Sequence, residues 1–154
     1  MEKYLTWYLA GPMSWIPQFN VPLFHSVSAD LRGKGYTIIS PAEKDSPKMQ
    51  AAALASPDGD LSKLEKDTNE TWGQVLGKDV ELVADHVGGI VFLPNWWNSS
   101  GAKLEAFVGL LKGKKFAYYQ PKGVWDVNID GLAPEAYTIE LSAEQVRATL
   151  RRFI

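Results

Sequence analysis

Apolar and polar positions along this chain switch between a period of two and a period of about 3.6, and the switches mark its elements. Tyr4 to Ala10 reads as a strand that Gly11-Pro12 ends. Asn20 then caps a predicted helix to about Arg32, with Phe24, Val27, Ser28 and Leu31 on one face and Gly33 and Gly35 closing it. Tyr36-Thr37-Ile38-Ile39 is a second strand, stopped by Pro41. The apolar run inside Val87–Leu93 reads as a buried parallel strand. A helix from Ser100 to Leu111 follows, with apolar Leu104, Phe107, Val108 and Leu111, and Gly113 ends it. Phe116–Tyr119 is the fourth strand.

Two stretches interrupt this rhythm. Lys44 to Asn69 is polar, holds Pro47, Pro57 and Asp58-Gly59, and has a small Ala-rich patch at Ala51–Ala55. It reads as a long excursion with one short helix, of the kind that forms lids or stays disordered. Thr68 or Asn69 then caps a helix through about Ala84. Beyond Gln120 the pattern is less regular. Tyr137–Leu141 alternates like a short strand, and Ser142-Ala143-Glu144-Gln145 is a capping-box start for a last helix to Phe153.

Alternating strands and helices predict an α/β fold: a single Rossmann-like (flavodoxin-like) domain with a parallel sheet flanked by helices. Residues 1–119 make the α/β domain. Residues 120–154 are a C-terminal extension of strand plus helix that packs on the core or on a partner subunit. The loops Gly11–Phe19 and Asn95–Gly101 both open at the carboxyl edge of the sheet, where ligands of such sheets bind.

Composition narrows the chemistry. The chain has 154 residues, 45% of them hydrophobic, and a net charge of −2, so no broad basic surface suggests a nucleic-acid polymer. It has no cysteine, which removes disulfides, thiol catalysis and cysteine metal sites. Two histidines, His25 and His86, are too few for a histidine-rich metal centre. No signal peptide or membrane-length apolar run is present, and a soluble, cytoplasmic protein is expected. Six tryptophans is a high count for this length and suggests stacking or a subunit interface.

The loop after the third strand carries the candidate chemistry. Ser99, Ser100 and Gly101 leave helix-start N–H groups free for an anion, and Glu105 lies about one turn into the helix. The same residues also suit an ordinary N-cap with a dipole-favoured acid. Gly11-Pro12-Met13-Ser14 lacks the spacing of a dinucleotide or P-loop fingerprint, although Ser14 and the N–H groups near Asn20 are available to an anion. Tyr8 ends a buried strand at the pocket floor, as a site residue or as a core tyrosine. Trp96 and Trp97 suit a nucleobase, an interface or loop packing. Asp79 lies well inside its helix, where most aspartates are solvated. Asp85 precedes the third strand and reads as a cap or turn.

Together these residues resemble the nucleoside 2-deoxyribosyltransferase-like superfamily, most closely a phage-associated branch whose members are uncharacterised. The likeness runs through Tyr8-Leu-Ala-Gly-Pro-Met13, Phe19-Asn20, Phe24, Leu31-Arg32-x-x-Gly35, Pro41-Ala-Glu43, Trp72, Asp79, Ala84-Asp85, Leu93-Pro94-x-Trp96 and Ser99-x-Gly101-Ala102-x-x-Glu105, over roughly Tyr4 to Tyr119. It implies that Glu105 is the nucleophile at C1′ of the sugar, that Asp79 handles protons, and that Tyr8 orients Glu105. Gly11, Pro12, Ser14, Asn20, Trp96, Ser99, Ser100 and Gly101 are then expected to bind substrate.

The resemblance also bears on the substrate. Members that transfer deoxyribose between free bases carry an acid six residues before the nucleophile. Members that hydrolyse 5′-monophosphates carry serine there, as this chain does at Ser99. The first loop, Met13–Phe19, lacks the arginine of the phosphate-binding branch. The expected activity is cleavage of the N-glycosidic bond of a nucleotide or deoxynucleotide, in particular a 5′-monophosphate, by hydrolysis or base transfer. No metal or organic cofactor is expected. The partners expected are that small molecule and further copies of the chain, as a homodimer or larger homo-oligomer. The alternative is a non-catalytic module that binds a nucleotide or nucleotide-derived signal.

Overall fold

Four short runs rich in β-branched and aromatic residues pair as parallel strands in a computed structural model that describes residues 1–154. They are β1 (Thr6–Ala10), β2 (Thr37–Ile39), β3 (Gly89–Phe92) and β4 (Lys115–Gln120). The sheet order is β2-β1-β3-β4, and Tyr8 on the central β1 stands opposite Ile39 of β2 and Ile90 of β3. This is a Rossmann-like α/β domain in which helices cover both sheet faces.

Alternation along the strands builds two cores. Trp7, Leu9, Val91, Leu93 and Ala117 pack on one face against Phe24, Val27 and Leu31 of α1 (Val21–Gly33). Tyr8, Ala10, Ile90, Phe92 and Phe116 face the other way. There they meet α5 (Trp72–Glu81), which widens into a π-type turn at Leu82–His86, and α6 (Ser100–Leu111). Asp85 lies exposed in that wide turn at the amino end of β3.

The stretch expected to be a long excursion with one short helix is mostly helical. After the single turn α2 (Pro41–Lys44), it forms α3 (Pro47–Ala55) and α4 (Leu61–Thr68). Ser46 and Asp60 supply the N-caps by accepting from the N–H groups of Met49 and Ser62. Met49 and Ala53 are buried against the first core. Two buried side chains on α3 and one, Thr68, on α4 give too faint a stripe to read among polar neighbours. The next cap is Thr71 rather than Thr68 or Asn69: Thr71 and Gln74 form a complete capping box for α5.

The tail continues the same sheet. A small hairpin joins β5 (Trp125–Asp126) to β6 (Gly131–Leu132), and β7 (Tyr137–Leu141) then pairs antiparallel with β4. The last helix, α7 (Ala143–Phe153), starts on the expected capping box and buries Val146 and Leu150 against the second core. No helix is long and apolar enough to cross a membrane.

The face that α6 buries differs from the one its apolar residues suggest. Ala102, Glu105, Ala106 and Gly109 point inward, whereas Leu104, Phe107 and Leu111 are exposed. The helix lies too close to the sheet for larger residues: a Cβ on Gly109 would sit 2.7 Å from Ile90 Cδ1. Glu105 therefore faces the interior, not the pocket edge.

Candidate active site

Inward rotation of α6 brings Glu105 over β1. The Tyr8 hydroxyl donates to Glu105 Oε2, and both side chains are buried. They form the floor of a cleft of about 390 Å³ at the carboxyl edge of the sheet, within the size range of small-molecule sites. Its walls come from the first loop, α3, α4, the start of α5 and the start of α6.

The first loop is held from behind. Trp15 N–H donates to the Gly59 carbonyl at 2.8 Å, and Gln18 N–H donates to the Ser56 carbonyl at 2.9 Å. Trp15, Gln18, Phe19 and Asn20 all take left-handed backbone angles, which are uncommon outside glycine. Gly59 has φ +72°, and a Cβ there would collide with the backbone of Ile16. Gly11 is equally constrained, since a Cβ would lie 2.8 Å from Leu93 Cβ. That close approach lets the loops after β1 and β3 meet.

The carboxyl groups share a low-dielectric environment. Burial, and then the charge of Asp79, hold Glu105 well above the usual carboxylate range, while the Tyr8 hydrogen bond pulls it down. Burial, with Asp45 adding like charge, pushes Asp79 up to about 7. Burial, and then Glu70, push Asp45 up to about 6. Tyr8 is raised well above its ordinary value by burial and by Glu105, so it remains a hydrogen-bond donor at neutral pH. At neutral pH Asp79 is thus present in both protonated and ionised forms, so a group able to give or take a proton sits beside a nucleophile candidate.

Of the residues expected from sequence, the cleft brings together Tyr8, Gly11, Pro12, Ser14, Asp79, Ser99, Ser100, Gly101 and Glu105. Ser99 caps α6, its hydroxyl oxygen accepting from Ala102 N–H at 3.1 Å. Asn20 stands outside the lining, and its amide donates to the Pro12 carbonyl at 2.9 Å. It shapes the loop without reaching the cavity. Trp96 is also placed elsewhere than expected. It is 2% exposed and stacks on Phe92 at 4.1 Å between centroids. Trp97 stacks on Phe153 of α7 in the same chain. Of the roles open to the pair, Trp96 takes core packing, and the half-buried Trp97 packs within the chain on α7.

Sequence reasoning missed Asp45, Glu65, Glu70, Trp15 and Trp72 as lining residues. They lie in loops or on helices whose tertiary placement has no local signature. Arg32 and Glu43 have a structural role, a two-pronged ion pair between α1 and α2 at 2.7 and 2.8 Å. No group of three or more His, Asp or Glu side chains is arranged to hold a metal ion.

Fold and cleft define an α/β protein with paired, buried carboxyl groups at the carboxyl edge of a parallel sheet. The family described as a domain of unknown function (DUF4406) matches residues 5–118, and the chain belongs to that family. The match ends inside β4, so β7 and α7 lie beyond it. No curated protein and no solved structure matches the chain.

Proposed function

We propose that this protein cleaves the N-glycosidic bond of a nucleoside or nucleotide. The observation that carries the reading is the buried Glu105 carboxyl, held through one oxygen by Tyr8 at the floor of the cleft, with the raised Asp79 beside it. The resemblance of these residues to the nucleoside 2-deoxyribosyltransferase-like superfamily supports the same roles.

Tyr8 holds Oε2, which leaves Oε1 of Glu105 to attack C1′ of the sugar. As that bond forms, the C1′–N bond breaks and its electron pair passes to the base nitrogen. The Asp79 carboxyl supplies the proton that lets the base depart neutral. The resulting Asp79 carboxylate takes a proton from water, whose oxygen adds to C1′ and releases Glu105. A second base in place of water gives transfer instead of hydrolysis. Two displacements at one carbon retain its configuration.

The test is a panel of nucleosides and 5′-monophosphates, with free base followed by chromatography. Wild-type protein releases base from at least one member. Glu105→Gln keeps the melting temperature and loses release, because the amide fills the same volume without the nucleophile. Turnover by Glu105→Gln at the wild-type rate refutes the assignment. Binding of intact ligand with no cleavage by the wild type would favour the non-catalytic module.

A further inference from the structure

Resting on the reading of Glu105 as nucleophile, we infer that the preferred substrate has a positively charged heteroaromatic base and no 5′-phosphate. An N-ribosylpyridinium or an N7-alkylated purine nucleoside belongs to this class.

The cleft lining carries the first argument. It includes Asp45, Glu65, Glu70, Asp79 and Glu105 and no Lys, Arg or His. Two of these acids are engaged elsewhere. Glu65 accepts from Trp72 N–H at 2.8 Å, and Glu70 pairs with Lys78 at 3.2 Å and accepts from Ser46 Oγ. Asp45, Asp79 and Glu105 have no basic partner in the lining. The basic side chain that acts on Asp45 and Asp79 is Lys78, which is committed to Glu70 and is 67% exposed.

Positive potential in the cleft comes from the first turn of α6, about half an elementary charge. A phosphate there would set nearly two negative charges against that half charge and would oppose the ionisation of Asp45, Asp79 and Glu105, which burial already disfavours. A cationic ring does the opposite: it favours the ionised form of each of those acids and is then attracted to it. The walls also suit it. Trp15 and Trp72 line the cleft at 69% and 40% exposure, and tryptophan faces attract cations.

The reaction balances without general-acid help. Glu105 Oε1 bonds to C1′, and the C1′–N pair passes to the ring nitrogen and cancels its positive charge. The base leaves neutral with no proton added. Water then adds to C1′, its proton goes to Asp79, which enters this cycle in its ionised form and afterwards passes the proton to solvent, and Glu105 departs as carboxylate.

Four probes separate base charge from phosphate: inosine, inosine 5′-monophosphate, nicotinamide riboside and nicotinamide mononucleotide. Kd is measured on Glu105→Gln, so that the inherent lability of the pyridinium bond does not enter. kcat/KM is measured on the full-length wild type. Nicotinamide riboside should bind at least about tenfold tighter than inosine, and each phosphate should weaken binding by a similar factor. Asp45→Asn should shrink the riboside-to-inosine ratio in kcat/KM. Tighter binding of either monophosphate than of its nucleoside, or of inosine than of the riboside, overturns the inference. If Glu105-dependent base release persists in that case, the glycosidase reading stands. Absence of base release from all four probes and from the wider panel overturns both.

Discussion

Replacing Tyr8 with phenylalanine removes one hydroxyl from a site where little else opposes burial. That hydroxyl donates to Glu105 Oε2, and it pulls the carboxyl down against desolvation and the Asp79 charge. A hydrogen bond to a charged group contributes about 1.5–3 kcal/mol, which corresponds to roughly one to two pK units. Without it, Glu105 ionises less readily, and its reactive fraction falls by up to roughly 10- to 100-fold, the full factor holding where pH lies below its titration. The kcat/KM for base release falls by the same factor. The acid limb of the pH–rate profile, which belongs to the Glu105–Asp79 pair, moves up by about one to two units. The deficit therefore shrinks as pH rises. The phenyl ring keeps the packing of Tyr8 on β1, so Tm should move by only a few degrees. The assay is base release across pH 5–9 for both proteins, with thermal denaturation alongside. A deficit of equal size at every pH would refute the ionisation argument and leave only orientation. Unchanged kcat/KM at neutral pH would remove Tyr8 from the machinery.

Trp96→Ala should cost about 3–5 kcal/mol in urea denaturation, since the ring is buried on Phe92, while folded protein keeps its kcat/KM. A normal midpoint with lost turnover would restore a substrate role. Asp45 and Asp79 have folded-state values raised to about 6 and about 7, and Glu105 is also raised well above its ordinary value, so their contribution to stability is complete below about pH 4 and is lost as pH rises through the folded-state values. Asp79→Asn should flatten that decline by roughly 2–4 kcal/mol between pH 5 and 8. Stability that is equal or greater at pH 8 in the wild type would contradict it. Truncation after Lys122 removes β7 and α7, which strips the β4 edge at Phe116 of its partner strand and takes Val146 and Leu150 out of the second core, so circular dichroism should show an unfolded or aggregated chain. A folded truncated protein with normal turnover would show the tail to be dispensable.

The sheet was legible because each parallel strand is a short apolar run with a clear stop, and α6 begins at the serine that was expected to open it. Which way α6 faces was not legible. Its large apolar residues look outward, because Gly109 and Ala106 allow close packing on β3 and β4 that Leu104 and Phe107 would block. The carboxylate wall was half legible. Asp79 and Glu105 sit in a motif, while Asp45 reaches the cleft from the end of α2, in the connection after β2, a place that no periodic pattern marks. Trp96 shows the opposite failure: a pair of tryptophans on a pocket loop suggested stacking on a ligand, but the loop turns the first of them back onto Phe92.

The anchoring of the first loop on Gly59 has a consequence for how this protein can change over time. The two segments that meet there are more than forty residues apart in the chain, yet neither can be altered alone. A side chain at Gly59 would push Ile16 aside and carry Trp15 and Ser14 away from the cleft. In a saturation scan scored by activity, Gly59 would then rank with the catalytic positions although it touches no substrate. New specificity in the first loop becomes accessible only when the turn between α3 and α4 drifts with it, so the two segments should be inherited, and exchanged, as one unit.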